Sequence, residues 1–210
     1  MITLVFEDEG YVGLNPLTYT KPVFELKCGA YSLLDRLAAS MASTAPRLAL
    51  TCRSYLAPLL RRRRQGVSAN DPSSVDEEAF LVNGRTLPLS VELSKLAERR
   101  VAWVKDGWLV AGLLSEGEVK EHWELITAGR MGELLAKLRE RGFEVREAAG
   151  LVLVENPWDI VKHCLDLLSR DLSSMEPRRG GVVEEGAVVK GDASKLILEE
   201  GAVVEPLAFI

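Results

Sequence analysis

The groups best placed to do chemistry crowd into the first thirty residues. Three acids, Glu7, Asp8 and Glu9, end a short apolar run and are followed by Gly10 and Gly13. Glycines at such a bend let backbone N–H groups approach a phosphate closely; the same pair also serves a plain strand-to-helix connection. The three acids are candidate metal ligands or a solvated acidic loop. Next comes "NPLTYTKP" (15–22), too polar for a core strand and too rich in proline for a helix. Pro16 and Pro22 stiffen the loop that carries Lys21, which makes Lys21 a candidate cation for an anionic ligand, against a solvated loop lysine. Arg85 follows the apolar run "AFLVNG" (79–84). Open parallel sheets bind ligands at the carboxyl ends of their strands, and an arginine there can grip a phosphate with two parallel bonds. The alternative is a turn arginine paired with a nearby carboxylate.

Other signals exclude more than they assign. The 210-residue chain has a formal net charge of −5, so no general affinity for nucleic acid is expected. The run Arg61–Arg64 lacks interleaved aromatics and reads as the solvated end of a helix. No apolar run is long enough to span a bilayer, and "MITLVFEDEG" has no basic start of the kind a signal peptide carries. Cys28, Cys52 and Cys164 are odd in number and widely spaced, which reads as reduced thiols in a cytoplasmic protein. His122 and His163 lack metal-site spacing. The four tryptophans are expected as core or interface anchors, with Trp103 and Trp108 facing each other across a hairpin.

These residues need a scaffold, and the periodicity supplies one. "ITLVF" (2–6), "RLALTC" (47–52) and "AFLVNG" (79–84) are strand-like, with helical text at 30–40 and 54–65 between them, the second capped by Ser54. That alternation predicts a mostly parallel sheet covered on both faces. "RVAWVKDGWLVAGLLS" (100–115) predicts a hairpin turning at Asp106-Gly107. Helical text follows at 116–141, broken near Gly129. A strand at 151–155 then leads through Asn156-Pro157 into a last helix, with Asp159 favoured by the helix dipole.

The period changes after "SSMEPRRGG" (173–181), a linker by composition. Ala187, Ala193, Ala202 and Ala208 each follow an aliphatic by four residues: Val183, Val189, Leu198 and Val204. Four hexads with three extra residues in the middle predict the first coil of a parallel β-helix. Phe209-Ile210 ends the sequence without a polar cap, so a longer array is expected beyond it.

Pro16, Leu17, Thr18, Lys21, Pro22 and Gly29 stand in the order strand, glycine-bearing loop, Pro-Leu-Thr-x-x-Lys-Pro, helix. This text resembles the start of the sugar nucleotidyltransferases. "NPWDIVKHCLDLL" (156–168) resembles the segment that closes such domains before a hexapeptide-repeat tail. The resemblance is to a divergent branch, similar to the N-terminal domain of N-acetylglucosamine-1-phosphate uridylyltransferases. It implies an α/β fold with a Rossmann-like three-layer sheet over 1–172, a linker at 173–181, and a left-handed β-helix segment over 182–210. It also implies transfer of a nucleotidyl group from a nucleoside triphosphate to a sugar 1-phosphate, with Mg²⁺ as cofactor. Lys21 and Arg85 would be catalytic. Gly10, Gly13, Asn15, Pro16, Leu17, Thr18, Asn83 and Gly84 would bind substrate. Gly13 stands where the family carries a signature arginine, Val23 where it carries a lysine, and Arg85 where it carries a metal-binding aspartate. Those departures leave an alternative: a non-catalytic domain that binds a nucleotide sugar, or regulates a hexapeptide acyltransferase. Family members with the full β-helix assemble as homo-oligomers, so a homo-oligomer through that part is a further expectation.

Overall fold

The computed structural model describes residues 1–89, 91–178 and 180–210. Met1–Leu168 and Ser169–Ile210 form two compact units. In the first, the chain runs β1 (Ile2–Phe6), β2 (Lys27–Cys28), β3 (Tyr31–Ser32), α1 (Leu33–Met41), β4 (Arg47–Thr51), α2 (Ala57–Arg63), β5 (Ser68–Ala69), β6 (Ala79–Asn83) and β7 (Thr86–Leu87). It continues through β8 (Val101–Lys105), β9 (Trp108–Leu114), α3 (Glu116–Glu121), α4 (Trp123–Thr127), α5 (Met131–Glu140), β10 (Glu144–Glu147) and β11 (Val152–Leu153) into α6 (Pro157–Ser174).

Seven strands form one sheet in the order β10-β8-β9-β6-β1-β4-β5. All five residues of β1 and all five of β6 are buried, as unbroken apolar runs in a parallel sheet require. β1 pairs in parallel with β4 on one side and β6 on the other, in register Phe6–Thr51 and Phe6–Asn83. The chain builds outward through β4 and β5, then returns across β1 to β6. The crevice at the carboxyl ends of β1 and β6 is therefore the topological switch point. One core lies beneath α1 and α2, with Leu33, Leu37 and Leu60; the other lies beneath α3 to α5, with Val119, Ile126 and Leu134. The mostly parallel three-layer architecture follows.

Local chemistry sets the element ends. Ser32 caps α1 in a reciprocal box with Asp35, a device that contributes about 1 kcal/mol. Ser54 does not cap α2: that helix starts at Ala57 with Pro58 in its first turn and Leu56 at its cap, because proline suits an opening turn. The arginines at its end are tethered rather than simply solvated. Arg61 donates to the Ala69 carbonyl, Arg63 pairs with Glu25, and Arg64 pairs with Asp35.

The middle of the chain brings two further differences. Asp106 and Gly107 make the expected turn, both with positive φ. The two-residue turn sets Trp108 opposite Lys105, and a bulge after Trp103 shifts that residue onto Ala111, so the two rings are not a cross-strand pair. β9 also runs antiparallel to β6, which interrupts the parallel sheet. The expected strand near 151 is only β11, which pairs antiparallel with β7 outside the main sheet.

In the second unit, β12 (Val182–Val183) pairs in parallel with β13 (Val203–Val204), and Val188 bridges Phe209 in parallel. Val183, Val189 and Leu198, the aliphatics of the first three hexads, line a common cavity of about 310 Å³, with Leu198 buried and Val183 exposed. α6 runs through Ser174, into the expected linker, and Arg179 of that linker lies outside the described residues. Among the described residues no helix is long and apolar enough to cross a membrane.

Candidate functional site

Phe6 is the last residue of β1, and the two carboxylates after it turn to opposite sides. Glu7 turns toward β4. It accepts hydrogen bonds from Val23 N (2.9 Å), Arg53 N (3.1 Å), Arg53 Nε (2.9 Å) and Arg53 Nη2 (3.1 Å). Arg53 follows the end of β4 and reaches further. Its Nη2 donates to the carbonyls of Thr18 (2.6 Å) and Lys21 (3.2 Å), and its Nη1 to Tyr55 Oη (2.7 Å). Its guanidinium carbon stands 3.9 Å from the centre of the Tyr11 ring. Burial works against the Arg53 charge, but the Glu7 hydrogen bonds outweigh it and raise the pKa above its ordinary value. Burial, together with the Glu7 charge, pushes the neighbouring Cys52 thiol up to about 12, so it is no nucleophile.

Asp8 turns toward β6. Its Oδ1 accepts from Arg85 Nε (2.7 Å), and its Oδ2 from Arg85 Nη2 (2.6 Å) and Asn83 Nδ2 (2.7 Å). Asn83 Nδ2 also donates to the Leu109 carbonyl, and Asn83 Oδ1 accepts from Arg85 N. Arg85 is 1% exposed, with its guanidinium 4.7 Å from the Trp108 ring centre. Of the two places its sequence allowed, Arg85 takes the carboxylate-paired one.

The elbow is packed against the chain's own atoms. A Cβ on Gly10 would stand 2.3 Å from Arg85 Cζ, and one on Gly13 would stand 2.4 Å from the Glu155 carbonyl oxygen. Both glycines thus permit close internal approach. Gly84 has a similar reason, since a Cβ there would meet the Phe24 ring at 2.8 Å. The Asn15–Pro16 peptide is cis. Thr18 is buried, its hydroxyl 2.8 Å from Asn15 Oδ1, whereas Leu17 is exposed. Lys21 gives its carbonyl to Arg53, and its ammonium makes no ion pair among the described residues.

Open space lies on the β4 side. A cleft of about 600 Å³ opens at the carboxyl ends of β1, β4 and β5. Glu7, Tyr11, Arg53, Tyr55 and Asn70 form one side, and the α4 residue Trp123 stands on the other. Gly129 closes the floor; a Cβ there would come within 3.0 Å of the Glu7 carbonyl. Asn70, with φ of 52°, clamps the end of β4 by exchanging two hydrogen bonds with the Cys52 backbone. Glu7, Asp8 and Glu9 border this cleft, whereas Gly10, Gly13 and Lys21 do not line it. Sequence reasoning missed Arg53, Tyr11, Asn70 and Trp123. Arg53 carried a readable signal, because it follows a buried strand just as Arg85 does.

The donor set does not fit Mg²⁺. That ion needs octahedral oxygen ligands with free carboxylate charge. Glu7 and Asp8 have their oxygens committed to guanidinium and amide donors, which leaves Glu9 alone. Among the described residues no group of three or more potential metal ligands comes together.

A family model described as sugar nucleotidyl transferase matches residues 3–179. No curated protein sequence matches the chain. Among solved structures, a Bacillus anthracis protein described as a glucose-1-phosphate thymidylyltransferase, crystallised with sucrose, superposes with a TM-score of 0.51 at 10% identity. The match covers 79% of this chain and 94% of that one. At that identity it speaks for the fold alone.

Proposed function

The chain belongs to the sugar nucleotidyl transferase family, and from that premise we propose that it joins a nucleotidyl group to a sugar 1-phosphate, releasing pyrophosphate. The observation that carries this reading is the cleft at the carboxyl ends of β1, β4 and β5, beside the switch point of the sheet. In such a reaction a phosphate oxygen of the sugar attacks the α-phosphorus in line as pyrophosphate leaves. The protein's work is to position two anions and to balance their charge. Tyr11, Tyr55 and Trp123 offer flat faces for a base or sugar ring, Arg53 offers positive charge at the cleft wall, and Lys21 offers a second cation from the elbow. The activity is tested by pyrophosphate release from each nucleoside triphosphate with a panel of sugar 1-phosphates. Release with no pair tested would overturn it.

One observation favours a second reading, a domain that binds a nucleotide sugar without turning it over. Arg53 and Arg85 are already matched by Glu7 and Asp8, so the crevice carries little surplus positive charge for two polyanions. Nucleotide-sugar binding without pyrophosphate release would select it. For residues 182–210 we read the start of a left-handed β-helix. The 21-residue offset between Val182 and Val203 supports this, being three hexads plus the three extra residues.

A further inference from the structure

The two carboxylates nearest the switch point, Glu7 and Asp8, follow directly after β1, and each is held by donors from within the chain. Asp8 takes three donors, two from Arg85 and one from Asn83. Glu7 takes four, three from Arg53 and one from the Val23 amide. Neither arginine can swing away easily. Arg85 is walled by Gly10 and Trp108. Arg53 is stacked on Tyr11 and bound to two elbow carbonyls. A metal-dependent site keeps its carboxylates open and lets the ion supply the charge; here guanidinium groups already stand against both.

We propose that the two carboxylates of the crevice are neutralised by charge built into the fold, Arg85 on Asp8 and Arg53 on Glu7, and that the crevice holds no divalent cation of its own. Arginine suits this role: its charge is permanent and its planar fork matches a carboxylate. Arg85 is 1% exposed, and its Nη1 faces a second carboxylate, Glu155 at 3.9 Å, so its charge is spent within the wall of the crevice. The ligand is a phosphate-bearing one, and that part rests on the functional reading above. The charge arrangement does not.

The test has two arms on the full chain. In the first, Mn²⁺ is titrated into the protein and the indole N–H signals are followed by NMR. Trp108 lies against the Arg85–Asp8 pair and Trp123 lines the cleft, with Trp103 and Trp158 as internal controls. Equimolar Mn²⁺ is expected to broaden Trp108 and Trp123 no more than the controls. In Arg85→Met, which frees Asp8 while preserving bulk, selective broadening of Trp108 is expected. Selective broadening of Trp108 in the wild type overturns the proposal, whether or not the variant folds. In the second arm, affinity for a panel of nucleoside diphosphate sugars is measured in Mg²⁺ and in EDTA. A change within about twofold is expected, and a loss of about tenfold or more in EDTA overturns the proposal. If no nucleotide sugar binds in either condition, the functional reading fails, and the Mn²⁺ arm alone decides the charge arrangement.

Discussion

Asp8→Ala should be among the most damaging single substitutions in the first unit. Asp8 and Arg85 are 1% exposed each, and the carboxylate is the guanidinium's bidentate partner. Removing it strands a positive charge that Gly10 and Trp108 hold in place, and it frees the Asn83 amide from its clamp. Breaking one side of a buried pair costs about 3–5 kcal/mol, because the remaining charge stays desolvated. For a protein of this size each kcal/mol lowers Tm by roughly 2–4 °C, so a fall of about 6–20 °C is expected. Thermal melts followed by near-ultraviolet circular dichroism would read it through Trp108. The pairing logic adds a second requirement. Asp8→Leu/Arg85→Met, which removes both charges and fills the space, should recover at least about half of the loss. An Asp8→Ala melting point within about 2 °C of wild type would refute the reasoning, because stability would then not depend on the pair.

Other outcomes follow from individual sites. Gly13→Ala should lower the urea midpoint by an amount equivalent to about 1–3 kcal/mol, since the new methyl meets the backbone carbonyl of Glu155, which cannot turn aside. Burial lowers the pKa of His122 below its ordinary 6.5, with Arg141 and Lys137 adding to the effect and Glu121 and Glu118 opposing it. Its contribution is then full above about pH 6.5 and lost as pH falls from there toward the folded-state value; His122→Leu should flatten the stability profile below about pH 6.5. At pH 8 iodoacetamide should modify Cys164 alone in the folded protein, because Cys28 and Cys52 are buried and the Cys52 thiol titrates near 12; mass spectrometry of the digested protein checks this. Lys21→Ala should weaken nucleotide-sugar binding in calorimetry while leaving Tm within about 2 °C, as its ammonium supports no ion pair among the described residues.

Much of the scaffold was legible because it depends on local rules. The mainly apolar runs of β1, β4 and β6 read as strands, Leu33, Leu34 and Leu37 as a helix face, and Asp106-Gly107 as a turn. Non-local pairing was not legible. Nothing in "WLVAGLL" says that it returns antiparallel to β6, and the two-residue turn at Asp106-Gly107, which pairs Lys105 with Trp108, keeps the two tryptophans apart. Of the two readings that the sequence allowed for Arg85, the structure places it on a carboxylate, Asp8, and Gly10 gives its guanidinium room. Spacing along a chain of 210 residues cannot reveal that positions 8 and 85 share one hydrogen-bonded ring.

The reversed direction of β9 also decides how the cleft is assembled. Leu114 ends that strand beside Ala79, at the amino end of β6. The chain must then travel back along the sheet through α3 and α4 before Trp123, Thr127 and Gly129 can stand opposite Arg53 and Asn70. One part of the cleft lining is therefore laid down early in the polypeptide and the other much later. A molecule seated between them would act as a rivet, coupling the local opening of residues 115–130 to that of the β4–β5 edge.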